Sequence, residues 1–367
     1  MASEPERRRL GETFAALCTI PSPSGHEQAV AQWLTDEMRG FGVELTADAK
    51  GNRFARVPGR GERFVLLCTH MDTVPHGATP IAPVVEDGQW TNRHNAILGA
   101  DNKAAVAVVV EVLRRVAAEG SPVGLEVLFT VEEEPGLKGA GAFDIAQLRS
   151  EFGYVFDHAS PIGELIMASP TYLRVEAEFV GAAAHAGIRP EDGRSAILAA
   201  SKAVAAMRLG RLDDDTTANV GTIAGGTGRN VVPERCRIDA EARAMSEERV
   251  EAVVAEMVDH LHDAANDPAC SCDLDVVVAR EFTGYRQRAD SPAVVAAEAA
   301  LRACGYTPKH VASGGGSDAN ALEVRGFHCL NVANGTERNH QPDERVSVAA
   351  LDGMLDVVLA LVGELGP

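Results

Sequence analysis

Residues 63–158 alternate long apolar runs with a single Ala-rich helix signal, and this restricts the fold more than any other feature. "RFVLLCTH" (63–70) is a continuous apolar run ending in polar residues, and "GLEVLFTVEEE" (124–134) and "FGYVFDH" (152–158) read as two further strands. A strand of that kind is buried on both faces, as in a parallel sheet covered by helices. "NKAAVAVVVEVLRRVAAEG" (102–120), closed by Gly120, supplies a crossover helix. The rhythm predicts a mainly parallel α/β sheet with helices on both faces. From residue 171 the pattern changes. "YLRVEAEFVG" (172–181), "RCRIDAEARAM" (235–245) and "CDLDVVVAREF" (272–282) carry the period of two expected of strands with one wet face. Helices are predicted over 193–210 and over 246–267, the second with Ser246 as N-cap. A β-α-β-β-α-β order is that of a ferredoxin-like α+β domain. After residue 284 the first pattern resumes, with helices over 291–305 and 347–365. The expected organisation is an α/β domain of residues 1–170 and 284–367, interrupted by an α+β domain of residues 171–283.

Ligands of open parallel sheets bind beyond the carboxyl ends of the strands. Those ends here carry His70 and Asp72, then Glu132–Glu134, then Asp157, and the long helix opens on Asp101. Each has an ordinary reading by itself: an N-cap for Asp101, a solvated strand end for the glutamates, an exposed loop histidine for His340. Together they put carboxylates close enough to oppose folding unless cations accompany them. His70 and Asp72, two apart, project to one face, so a carboxylate can fix the imidazole of a metal-bound histidine. A mixed histidine and carboxylate set suits two divalent metal ions, most readily zinc, with manganese or cobalt as alternatives.

Charge excludes some partners. Acidic residues outnumber basic ones 53 to 34, for a net charge of −19, which argues against nucleic acid or an anionic membrane. The seven cysteines form no CxxC pair, so they read as reduced thiols of a cytoplasmic protein rather than a zinc ribbon. The basic N-terminal stretch lacks a following apolar segment, and no run is long enough to span a bilayer.

The ordered set "HMDTV", "LGADNKAA", "FTVEEEPGLKGA", "FDH", "AAHAG", "GGTGRNVVPE", "SGGGSDAN" and "NGTERNH" resembles the M20 metallopeptidases, most closely their peptidase T-like (tripeptidase) branch. The resemblance covers nearly the whole chain. It implies a zinc-peptidase-like catalytic domain and makes the inserted domain a lid through which two copies pair as a homodimer. It implies that Asp101 bridges two metals, that His70 and Asp157 complete one site, and that Glu134 and His340 complete the other. Asp72 would orient His70, and Glu133 would act as general base and acid. His185 would reach the active site of the partner subunit. Asn230, Arg243 and Arg280, with Gly315 in a Gly-rich loop, would contact substrate. Where relatives carry a second Asp after the bridging one, this chain has Asn102. The peptide bond at that step is expected to be cis. The glutamate run leaves its register open by one residue, because a slip would make Glu132 the base and Glu133 the ligand.

The activity so implied is hydrolysis of short peptides by metal-activated water, as a tripeptidase or aminopeptidase. A deacylase, carboxypeptidase or desuccinylase acting on N-acyl amino acids would use the same ligands. A non-catalytic metal-binding protein would have no use for the extra carboxylate of Glu133.

Overall fold

The computed structural model describes residues 1–77 and 79–366. The chain divides into two compact units, Met1–Ala168 with Arg286–Pro367, and Ser169–Tyr285.

The first unit is built on a nine-stranded sheet. Its centre is parallel. Strand Phe64–His70 runs between Gly124–Thr130 and Gly153–Val155, and Cys329–Val332 pairs parallel with the latter. Antiparallel neighbours close the two sides, Arg53–Val57 against Gly124–Thr130 and Glu164–Ser169 against Cys329–Val332. The unbroken apolar run at 64–70 has a direct cause. Val65 and Leu67 pack into the core with helices Glu4–Cys18, Ala100–Glu119 and Val348–Glu364. Leu66 and Cys68 are as deeply buried on the other face, where the Cys68 thiol meets Asp318 of the short helix Asp318–Glu323. A strand buried twice has no reason to alternate.

Two departures from the sequence reading bear on the site. The strand expected to continue to residue 134 ends at Thr130, because Glu132 takes a left-handed φ of +48° and turns the chain. Helix Ala100–Glu119 contains two non-helical residues, Asp101 and Asn102, and the peptide bond between them is cis, as the resemblance implied. A four-stranded sheet of Thr336–Glu337, Arg345–Ser347, Gln89–Asn92 and Pro83–Glu86 was not foreseen. These strands are short and mostly half-buried, so they carry little hydrophobic periodicity.

The second unit is a five-stranded antiparallel sheet in the order Gly210–Asp213, Thr216–Gly225, Arg235–Ala244, Thr171–Val180, Asp273–Phe282. Without its first strand this is the ferredoxin-like order. Helices Ala196–Ala206 and Glu247–Asn266 cover one face, over Leu173, Val175, Ala177 and Phe179. Ser246 caps the longer helix, its hydroxyl accepting the Arg249 N–H at 3.3 Å.

Helix Lys138–Ala142 seats the turn that carries the three glutamates. A Cβ on Gly139 would lie 2.2 Å from the Val131 carbonyl oxygen and 2.6 Å from Asn52 Oδ1. Buried Asn52 holds both sides, accepting the Val131 N–H at 3.1 Å and donating to the Gly139 carbonyl at 2.9 Å. Gly139→Ala must therefore push backbone aside. It is expected to lower stability by about 1–3 kcal/mol, the usual cost of overpacking, measured by urea unfolding.

Candidate metal centre

Five side chains from separate strand ends and loops converge in the first unit as two triplets sharing one residue. His70, Asp101 and Asp157 form the first, and Asp101, Glu134 and His340 the second, with the donor atoms of each triplet within 4.8 Å of one another. Asp101 divides its oxygens between them. Oδ1 lies 3.3 Å from His70 Nε2, and Oδ2 lies 3.2 Å from His340 Nε2. His70 Nε2 is 3.5 Å from Asp157 Oδ1, and His340 Nε2 is 3.1 Å from Glu134.

His70 is aimed by the residue two places on. Its Nδ1 lies 3.1 Å from the Asp72 carbonyl oxygen and 3.4 Å from the Asp72 carboxylate. A proton held on Nδ1 by these acceptors leaves the Nε2 lone pair facing Asp101 and Asp157. The Asp72 carboxylate does a second job, accepting the Glu133 N–H at 3.0 Å, the Glu134 N–H at 3.2 Å and the Ser24 hydroxyl at 2.7 Å. One carboxylate thus ties the histidine strand to the glutamate turn.

The three glutamates separate in space. Glu132 pairs with Lys50 at 2.5 Å and Lys138 at 3.8 Å. Glu134 enters the second triplet. Glu133 is buried and belongs to neither triplet. Burial, reinforced by the charge of Asp157, pushes its carboxyl well above the usual range. Burial also raises Asp157 and Glu134. His340 is drawn up to about 10 by its contacts with Asp101 and Glu134. For His70, burial alone would lower the pKa, but Asp157 and the contacts with Asp101 and Asp72 outweigh it. Without a cation, the carboxylates favour the protonated form of both imidazoles, because the cluster is short of positive charge. Two divalent ions would supply that charge and free the nitrogens as ligands. Asp101 Oδ1, buried and without a hydrogen-bond partner, is the atom such an ion would satisfy.

Three buried residues around this centre escaped the sequence reading. Asn334 donates from Nδ2 to Asn102 Oδ1 at 3.2 Å, while its own N–H donates to the His158 carbonyl at 3.1 Å, so it joins the chain just past Asp101 to the chain just past Asp157. Asp318 accepts the Thr130 hydroxyl beneath the glutamate turn, and burial pushes its carboxyl up to about 7. Glu344 accepts three backbone N–H groups of the segment 98–101. The "NGT", "GGGSD" and "NHQPDE" segments held these residues in plain view, but only the fold reveals what each touches.

The remaining expected residues fall into two groups. In the second unit His185 and Asn230 are exposed on adjoining segments. Ala186 N–H donates to the Asn230 carbonyl at 3.0 Å, and His185 bridges to Val231. Arg243 stacks 4.3 Å over the Tyr172 ring and pairs with Glu241 at 3.0 Å. Arg280 stands opposite Leu173 in register, on the helix-covered face, and pairs with Glu247 and with Glu251 at 3.6 Å. The two arginines therefore lie on opposite faces of one sheet. In the first unit, the Gly315 N–H donates to the Ser313 hydroxyl at 3.0 Å in the loop preceding helix Asp318–Glu323.

A mainly parallel sheet with such a histidine and carboxylate cluster beyond its strand ends is the arrangement expected of a metal-dependent hydrolase. Residues 66–364 match the model of Peptidase family M20/M25/M40, and the chain belongs to that family. It is 35% identical to the Bacillus subtilis protein YqjE, over 97% of this chain and 98% of that one. Among solved structures it is similar to the aminopeptidase PepT of Bacillus cereus, at 34% identity with 98% of each chain covered and a TM-score of 0.84. It is likewise similar to a tripeptidase of Staphylococcus aureus, at 30% identity with 97% of each chain covered and a TM-score of 0.89. Among the described residues no helix is long and apolar enough to cross a membrane.

The geometry assigns unequal weights to neighbouring acids. Asp101→Ala should weaken metal binding at both triplets, Glu134→Gln at one, and Glu132→Gln at neither. Metal content of the purified variants by plasma emission spectroscopy reads all three.

Proposed function

We propose that the protein is a dinuclear metallopeptidase that removes the N-terminal residue of short peptides, tripeptides foremost. The observation that carries this reading is the placement of Glu133. It is a buried carboxylate beside two triplets that share Asp101, yet it belongs to neither. A ligand cage alone would gain nothing from an extra buried acid. The similarity to a PepT aminopeptidase and a tripeptidase, each over nearly the full chain, supports the choice of substrate.

In this reading His70, Asp101 and Asp157 hold one ion, and Asp101, Glu134 and His340 the other. Zinc fits the donor set best, and manganese or cobalt would also be accepted. When bound, the ions lower the pKa of an attacking water and polarise the scissile carbonyl. Glu133 takes the proton from that water as it attacks and delivers it to the departing amine. Asp72 holds the Glu133 and Glu134 amides and the His70 ring in register, so base and ligands move as one body. Arg243, half-buried and stacked on Tyr172, is the arginine proposed for the substrate carboxylate, with Asn230 for a carbonyl oxygen. Arg280, paired with Glu247 and Glu251 on the helix-covered face, and Gly315 are proposed as further substrate contacts. The second unit is proposed as the lid and the homodimer contact, with His185 acting in the active site of the partner subunit. The seven cysteines form no disulfide, which fits a cytoplasmic setting.

A panel of di-, tri- and N-acyl amino-acid substrates, assayed with and without chelator, tests the reading. Tripeptides should be cleaved fastest, and exhaustive metal removal should abolish the activity. Preference for N-acyl amino acids would reassign the protein as a deacylase, and turnover without metal would remove the proposal altogether. Glu133→Gln should keep its metal and lose about 10²–10⁴ in kcat. His185→Ala should remain a dimer with a reduced kcat.

A further inference from the structure

Glu344 lies on the loop that also carries His340, its N–H donating to the Gln341 carbonyl at 3.0 Å. Glu344 is 2% exposed. Oε2 accepts the Leu98 N–H at 2.9 Å and the Gly99 N–H at 2.8 Å. Oε1 accepts the Asp101 N–H at 2.8 Å. Gly99, at a φ of +76°, turns these amides to one side. Three N–H groups of one short segment arranged in this way form an anion cradle at the start of a helix. Here the chain fills its own cradle. The buried ammonium of Lys103, which donates to the Ile20 carbonyl at 2.6 Å, adds positive charge nearby.

We infer that Glu344 is a positioning residue for the shared ligand: it fixes the backbone of Asp101 so that the two carboxylate oxygens meet the two triplets. The inference rests on Asp101 being a metal ligand. Asp101 is then gripped at both ends by one loop, its side chain facing His340 and its amide held by Glu344. Three charge-assisted bonds to a desolvated carboxylate are stiff. A bridging ligand needs that stiffness, since a small rotation that improves one triplet spoils the other. Partners that orient a ligand in this way typically change metal affinity by about 10–100-fold when they are removed.

Glu344→Gln separates this role from simple loop anchoring. The amide keeps the volume and one oxygen, which can stay with Leu98 and Gly99, but it turns an NH₂ toward the Asp101 N–H, so the bond to the ligand is lost. Zinc affinity is measured by chelator competition on wild type and variant, beside thermal unfolding of the metal-free proteins. The expected result is a zinc dissociation constant raised by about tenfold or more, with peptide hydrolysis recovering as zinc is increased. Unchanged zinc affinity, whether or not stability falls, would overturn the inference and leave Glu344 a helix anchor. If Glu344→Gln does not fold, Glu344→Asp serves instead. It keeps the charge but is a methylene too short to reach all three amides, and it must also weaken zinc. Wild type that binds no stoichiometric zinc would instead bring down the reading of the centre itself.

Discussion

Everything at this centre depends on how one buried carboxylate is divided. Asp101 presents Oδ1 to His70 and Oδ2 to His340, and the two triplets are a single site only because they share it. The sharing is demanding. Both oxygens must be placed at once, although the residue sits where a loop enters a long helix, a position with unsatisfied amides and freedom to fray. The fold answers by packing that helix into the core from Val106 to Val116 and by capping its start with the carboxylate of Glu344.

The second demand is electrostatic. Among the described residues, Asp72, Asp101, Asp157, Glu133 and Glu134 lie together with the imidazoles of His70 and His340. Asp72 is held ionised by its contacts with His70, the Glu133 amide and Ser24, despite burial that acts against it. Glu133 is pushed the other way, by burial first and by the charge of Asp157 next. Acids of one type thus acquire different proton affinities from their surroundings. The −19 net charge of the chain suits a protein whose working ions are cations.

Much of this was legible in the sequence because the relevant side chains follow apolar runs. His70 closes a buried strand, and the glutamates and Asp157 follow the ends of two others, so the strand pattern pointed to them. The glutamate register was not legible. It is decided by the left-handed turn at Glu132 and by Lys50, 82 positions away, which takes up the Glu132 carboxylate. Glu344 was invisible for a similar reason, since its partners are backbone amides more than 240 positions earlier in the chain. The arginines show the limit of strand parity. Alternation says that neighbouring residues face opposite ways, but only the pairing register puts Arg243 beside Tyr172 and Arg280 beside Leu173. The small four-stranded sheet went unseen because half-exposed short strands leave no hydrophobic rhythm.

Anomalous diffraction at the zinc absorption edge, from crystals of the protein grown with zinc, tests the shared-carboxylate account most directly. The account requires two anomalous peaks per chain, one within His70, Asp101 and Asp157, the other within Asp101, Glu134 and His340, with Asp101 contributing one oxygen to each. A single peak, or two peaks that do not share Asp101, would contradict it.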